Sequence, residues 1–264
     1  MGGTVRAARD GQDERIGWLV FDHPERRNAI SVDMWQEMPG ALRSLEEDPA
    51  VRVIVMRGAG DVAFVAGADI SEFGAKRTGG PAADVYDADS GAAFGALANC
   101  SKPLLAMIHG FCVGGGVAIS LSADMRFASD DAIFAVPAAR LGLGYHMGGL
   151  DALVNLVGPS RAKEIFFTAR RFEAQEALDM GLINGVFTGT ELEKQVRETA
   201  SRIAENAPLT IRSVKRIVHE LARDPQDRDL AAIGESIRAC FESEDYKEGV
   251  RAFLEKRSPR FRGR

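Results

Sequence analysis

Two short runs constrain the fold most: Val51–Met56 (VRVIVM) and Pro103–Ile108 (PLLAMI) are almost wholly apolar. Runs of that length suit strands covered on both faces, as in a parallel sheet, rather than strands with one wet face. Ile16–Phe21 is a third such run, and Asp22-His23-Pro24 ends it in a turn. Between the first two strands, Ser31 is placed to cap a helix running to about Glu47. Met34, Trp35, Met38, Leu42 and Leu45 share its inner face, and Asp48-Pro49 stops it. Met125–Ala128 and Ala132–Val136 read as further short strands, with a buried helix, Val117–Ala123, before them. Thr78–Ala88, rich in Gly, Pro and Asp, reads as a mobile loop, and helix signals return at Ala92–Leu97. Beyond Pro159 the pattern turns helical: 160–180, 190–206, 208–222 and two more segments. The expected organisation is an α/β core over residues 1–200 followed by a helical region over 201–264.

Charge and cysteine content narrow the function. The chain has 33 Lys and Arg against 38 Asp and Glu, a formal charge of −5, which argues against a nucleic-acid coat. No run reaches the ~20 apolar residues of a membrane helix. Met1–Asp13 is polar, unlike a signal peptide. The initial Met-Gly hints at myristoylation, but Arg6 stands where that motif wants Ser or Thr. Cys100, Cys112 and Cys240 form no disulfide framework, so a cytoplasmic location is expected. His23, His109, His146 and His219 show no metal-ligand spacing, so no metal is expected.

The chemistry-bearing feature is the glycine run in Ile108–Val117 (IHGFCVGGGV), which joins a strand to a helix. Three consecutive glycines let the backbone approach a ligand, and free N–H groups at a helix start favour an anion. It is neither a P-loop nor GxGxxG. On the run alone, a tight turn with close helix contact is an equal alternative. A second bare segment, Ala66-Gly67-Ala68-Asp69, could aim another N–H at the same oxygen, which is how an oxyanion hole is built.

These motifs resemble the crotonase superfamily, also called the enoyl-CoA hydratase/isomerase family. The resemblance runs from about residue 14 to 263. It includes HPERRNAIS (23–31), AFVAGADISEF (63–73), KPLLAMIHGFCVGGGVAISLSADMRFA (102–128), PAARLGLG (137–144), GPSRAKEIFFTARRFEAQEALDMGLIN (158–184), NAPLTIRSVKR (206–216) and FLEKR (253–257). It implies a spiral of ββα units with a C-terminal helical trimerisation region, a trimer or hexamer, and an acyl-CoA thioester substrate. Coenzyme A would enter as part of that substrate, with no separate cofactor, nucleic acid or membrane partner.

The resemblance also implies an enolate stabilised by the backbone N–H groups of Ala68 and Gly115. Coenzyme A contacts would come from Arg26, from Ala66, Gly67, Asp69 and Ile70, and from Phe253 and Lys256 reaching a neighbouring subunit's ligand. The tail from Lys247 to Arg264 holds seven Lys and Arg against two Glu, a charge of 7 − 2 = +5 that could attract phosphates.

The sequence departs from the family at the two glutamates that hydratases use to activate water. Ala118 and Ala138 occupy those positions, and alanine transfers no proton. Some family isomerases place an acidic residue in the loop after residue 142; here His146 stands there, in Gly144–Gly149 (GYHMGG). A neutral imidazole suits proton transfer near pH 7. The expected function is hydration or a double-bond shift of an enoyl-CoA dependent on His146. A non-catalytic acyl-CoA-binding protein and a hydrolase of the same fold are the alternatives. Tyr145 could orient His146, Asp151 could pair with it or cap a helix, and Glu72 could face the acyl pocket. Asp69 would support its loop, while Cys112, His109, Phe166 and Phe167 read as structural.

Overall fold

In the computed structural model, residues 2–72, 81–145 and 147–264 are described. Among these described residues, ten strands form two sheets. The larger orders β1 (Thr4–Arg9), β2 (Ile16–Asp22), β3 (Val53–Gly58), β5 (Leu104–Ile108), β7 (Met125–Ser129) and β10 (Gly185–Phe187) side by side. The smaller orders β4 (Ala63–Val65), β6 (Phe111–Val113), β8 (Ile133–Ala135) and β9 (Phe172–Glu173). Pairing is parallel throughout except β1 with β2 and β8 with β9.

The connectivity makes a spiral. Each winding lays one strand in the large sheet and the next in the small one: β3 then β4, β5 then β6, β7 then β8. A helix closes each winding: α2 (Pro81–Ala98), α3 (Gly115–Leu121), then α4 (Ala138–Leu141) and α5 (Met147–Thr168). Before the first winding, α1 (Val32–Glu47) starts at Ser31, whose Oγ accepts the Met34 N–H at 3.3 Å. This is the ββα spiral that the resemblance implies.

The apolar runs are covered on both faces. Ile54, Met56, Leu104, Ala106 and Ile108 face the space between the sheets. Their neighbours Val53, Val55, Leu105 and Met107 face Leu192, Val196, Ala200 and Ala204 of α7 (Gly189–Glu205). Alternation along the strand explains the division, since successive side chains point to opposite faces.

Four elements differ from the sequence reading. Residues 81–88 belong to α2 rather than to a loop. The buried Tyr86 hydroxyl accepts the Trp35 Nε1–H at 3.1 Å, and Phe94 packs on Trp35. These contacts with α1 hold as helix a segment whose Pro81, Asp84 and Asp87 read as a loop. The polar N-terminus contains β1, an edge strand with only Val5 buried. The helix expected over 160–180 is interrupted by Ala169 (φ 46°) and β9, and resumes as α6 (Ala174–Asp179). Three residues, Gly185–Phe187, add β10 to the sheet. The remaining helices are α8 (Pro208–Leu221), α9 (Leu230–Glu242) and α10 (Glu244–Leu254). Among the described residues, no helix is long and apolar enough to cross a membrane.

Candidate functional site

Backbone crowding requires glycine at two places in this segment, Gly110 and Gly116. Gly110 turns the chain from β5 into β6 at φ 54°, and a Cβ there would lie 2.0 Å from the Val62 carbonyl oxygen. Gly116, in the first turn of α3, would place a Cβ 2.1 Å from the Val65 carbonyl oxygen. The front of α3 therefore lies directly on the backbone of β4. Gly114 (φ 52°) supplies the left-handed turn that aims the helix, and its N–H donates to Ala135 O at 2.8 Å.

The second loop leaves β4 at Val65 and is held by the segment 27–30. Ala66 N–H donates to Arg27 O (3.1 Å), Ile30 N–H to Gly67 O (2.8 Å) and Asp69 N–H to Ile30 O (2.9 Å). Gly67 sits at φ 110°. The holding segment is itself fixed by Asn28, buried at φ 57°, whose Nδ2 donates to Ala59 O and Ala63 O at 2.9 and 2.7 Å. Asn28 is the positioning residue the sequence reading passed over; its only signal there is its place inside the 23–31 motif.

These constraints bring the two loops together. A Cβ on Gly115 would lie 3.4 Å from Ala68 N, so nothing but backbone separates the two positions. Among the described residues, neither the Ala68 nor the Gly115 N–H meets an acceptor. Gly115 opens α3, where the first N–H groups lack partners within the helix. The result is a pair of adjacent open donors, the construction that stabilises charge growing on a carbonyl oxygen.

Around this niche, the expected residues divide. Arg26, exposed in the short 3-10 turn Pro24–Arg26, lies close enough for its charge to act on Asp69. Burial raises the Asp69 pKa, but hydrogen bonds from Ser71, with the charges of Arg26 and His23, hold it below the usual value. Its Oδ1 accepts the Ser71 N–H at 3.0 Å and Oγ–H at 2.6 Å, which fits a loop-supporting role. Ile70 begins the 3-10 turn that follows. Glu72 Oε2 accepts the Val32 N–H at 2.9 Å and so caps α1. Ala118 is half-buried in the second turn of α3, and Ala138 is buried at the start of α4.

His146 lies outside the described residues. Beside it, Tyr145 meets the Phe166 ring edge-on at 4.7 Å between centroids, and Met147 is exposed. Asp151 lies within α5 and accepts from Asn155 Nδ2 at 3.2 Å, so it is not a cap. Phe167 is exposed rather than in the core; it follows the half-buried Phe166 on α5 and turns away from the core face. His109 and Cys112 sit in the interior as expected, with burial pushing the imidazole pKa down and the thiol pKa up.

Phe253 stands in a groove of the C-terminal helices with Val214, Ile237, Phe241, Val250 and Leu254. Lys256 follows just beyond α10 at φ 53°. The tail's positive charge is partly neutralised internally. Glu248 pairs with Arg251 and Arg257, and Glu244 with Lys247. Among the described residues, no cluster of His, Cys, Asp or Glu could hold a metal ion.

Known proteins resemble this chain over nearly its whole length. The family model described as enoyl-CoA hydratase/isomerase matches residues 11–264. A short-chain-enoyl-CoA hydratase of Clostridium acetobutylicum is 35% identical over 93% of this chain and 94% of its own length. A peroxisomal Delta(3,5)-Delta(2,4)-dienoyl-CoA isomerase of Arabidopsis thaliana is 33% identical, covering 98% and 96%. A solved enoyl-CoA hydratase/carnithine racemase of Magnetospirillum magneticum superposes with a TM-score of 0.93 at 32% identity, over 100% of this chain and 97% of that one.

Proposed function

This chain belongs to the enoyl-CoA hydratase/isomerase family, the crotonase superfamily, and from that premise we propose that it works on an enoyl-CoA through a thioester enolate. In this reading the N–H groups of Ala68 and Gly115 donate to the thioester oxygen. The observation that carries it is the contact of the two loops, with 3.4 Å from a Gly115 Cβ to Ala68 N. When a proton leaves carbon next to the carbonyl, charge moves onto that oxygen. Each preorganised donor is worth ~3 kcal/mol there.

His146 carries the proton in this account. Ala118 and Ala138 remove the two carboxylates with which hydratases of the family activate water. A double-bond shift asks one group to take a proton at one carbon and return it at another, which a single imidazole performs. Hydration asks the same group to activate a water. The double-bond shift is therefore the leading reaction and hydration the second. Arg26 and the backbone of residues 66–70 would hold coenzyme A. Phe253 and Lys256 would act across a contact between copies, in a trimer or hexamer built on the exposed apolar faces of α8, α9 and α10.

The test is turnover of 2-enoyl- and 3-enoyl-CoA esters in heavy water by the parent and His146→Ala, read by mass and NMR. The account expects a moved double bond with deuterium incorporation, lost by about 100-fold or more in the variant. Full turnover by His146→Ala would overturn the role given to that residue.

A further inference from the structure

Arg126 lies on β7 with 4% of its surface exposed, yet among the described residues no carboxylate forms an ion pair with it. Its guanidinium is spread over three carbonyl oxygens instead. Nε donates to Leu182 O at 2.8 Å, and Nη1 donates to Ala123 O at 2.5 Å and Ser120 O at 3.4 Å. Burial pushes its pKa down to about 10, with Asp124 pulling the other way. A buried charge without a counter-ion is costly, so it needs strong compensation. Here that compensation is the negative end of α3: Ser120 lies in its last turn and Ala123 just beyond.

The two ends of α3 are held differently. At the front, Gly116 rests on the Val65 backbone with no side chain between, and the Gly114 N–H donates to Ala135 O just ahead of the first turn. The contact limits approach and the bond fixes one point before the helix, which leaves its turning about that point to be checked at the rear. At the rear, the planar fork of Arg126 joins the last turn to the strand that carries it and to the loop at Leu182. That loop is locked in turn, because Asn184 and Arg126 exchange hydrogen bonds: Arg126 N–H to Asn184 Oδ1 at 2.8 Å, Asn184 N–H to Arg126 O at 2.7 Å. The lever is short. From Ser120 back to Gly115 is roughly 8 Å at 1.5 Å per residue.

We infer that Arg126 is a positioning residue for the oxyanion niche: by clamping the rear of α3 it keeps the Gly115 N–H aimed at the same oxygen as the Ala68 N–H. This inference rests on the enolate reading above. Arginine rather than lysine is needed because one planar group must serve acceptors on two elements.

The experiment compares the parent with Arg126→Met and Arg126→Lys. Each would bind butyryl-CoA labelled with 13C at the thioester carbonyl, a saturated probe that is not turned over by a double-bond shift or hydration. Two donors on the carbonyl oxygen move the bound resonance downfield of the free ester in the parent. In Arg126→Met most of that shift disappears. Turnover of the enoyl-CoA that the parent converts falls roughly 10- to 100-fold, the effect of a donor displaced by a fraction of an ångström. KM stays within about threefold, because the loss falls on the transition state. Arg126→Lys falls between the two, and decides the matter if the methionine variant does not fold. Folded variants that melt earlier but keep the parental resonance and turnover would overturn the inference and leave Arg126 a structural residue. A parent whose bound carbonyl shows no downfield shift would overturn the oxyanion reading itself.

Discussion

In the spiral core the apolar side chains face inward, whereas the last three helices leave theirs in the open. Phe21, Phe64, Phe134, Met34 and Ile54 are almost wholly buried. Val218, Leu221, Phe241, Phe253 and Leu254 on α8 to α10 are all more than half exposed. Large apolar faces left open on a folded chain mark surfaces that another body covers. The core therefore brings the two loops of its candidate site together through its own backbone, and the helical region exposes the apolar faces on which we propose that copies of the chain meet.

The sharpest way to break this comparison is Gly116→Ala. A Cβ there meets the Val65 backbone at 2.1 Å, and backbone cannot rotate away as a side chain would. The expected cost is roughly 3 kcal/mol, read as a lower midpoint in urea unfolding. An unchanged midpoint would mean that α3 is not seated on β4. A smaller effect is expected on the helical side. Leu254→Asp, at 75% exposure, should leave the unfolding of each subunit within about 0.5 kcal/mol. It should instead shift the mass measured by light scattering toward one chain. A variant that keeps the parental mass would remove the apolar face of α10 from the assembly.

Sequence legibility follows how many residues fix each feature. Helix α1 is readable because Ser31 caps it and five apolar side chains repeat along one face. The strands at 53–58 and 104–108 are readable because both faces are buried. Strand β1 shows no alternation since Val5 alone is buried, and β10 is three half-buried residues paired late in the chain. Helix α2 depends on Trp35, a residue 51 positions from Tyr86, so its local composition misleads. At the site, Gly110 and Gly116 announce themselves because close backbone approach excludes every other residue there. Asn28 does not, because its three side-chain hydrogen bonds go to Ala59, Ala63 and His23, and nothing local marks that convergence. The same holds for Arg126, whose acceptors are backbone carbonyls that leave no trace in composition.

The most direct test of the two-amide niche is Gly115→Ala, because it separates the site from the fold. Its Cβ meets Ala68 N at 3.4 Å, an ordinary contact, so the chain accommodates it where Gly116→Ala would clash. Alanine also suits a first helical turn better than glycine. In the proposed reading the methyl group crowds the space that the Gly115 and Ala68 N–H groups share. The account predicts a variant with parental unfolding, within about 1 kcal/mol, and turnover lower by about 100-fold or more. Parental turnover by the folded variant would contradict it.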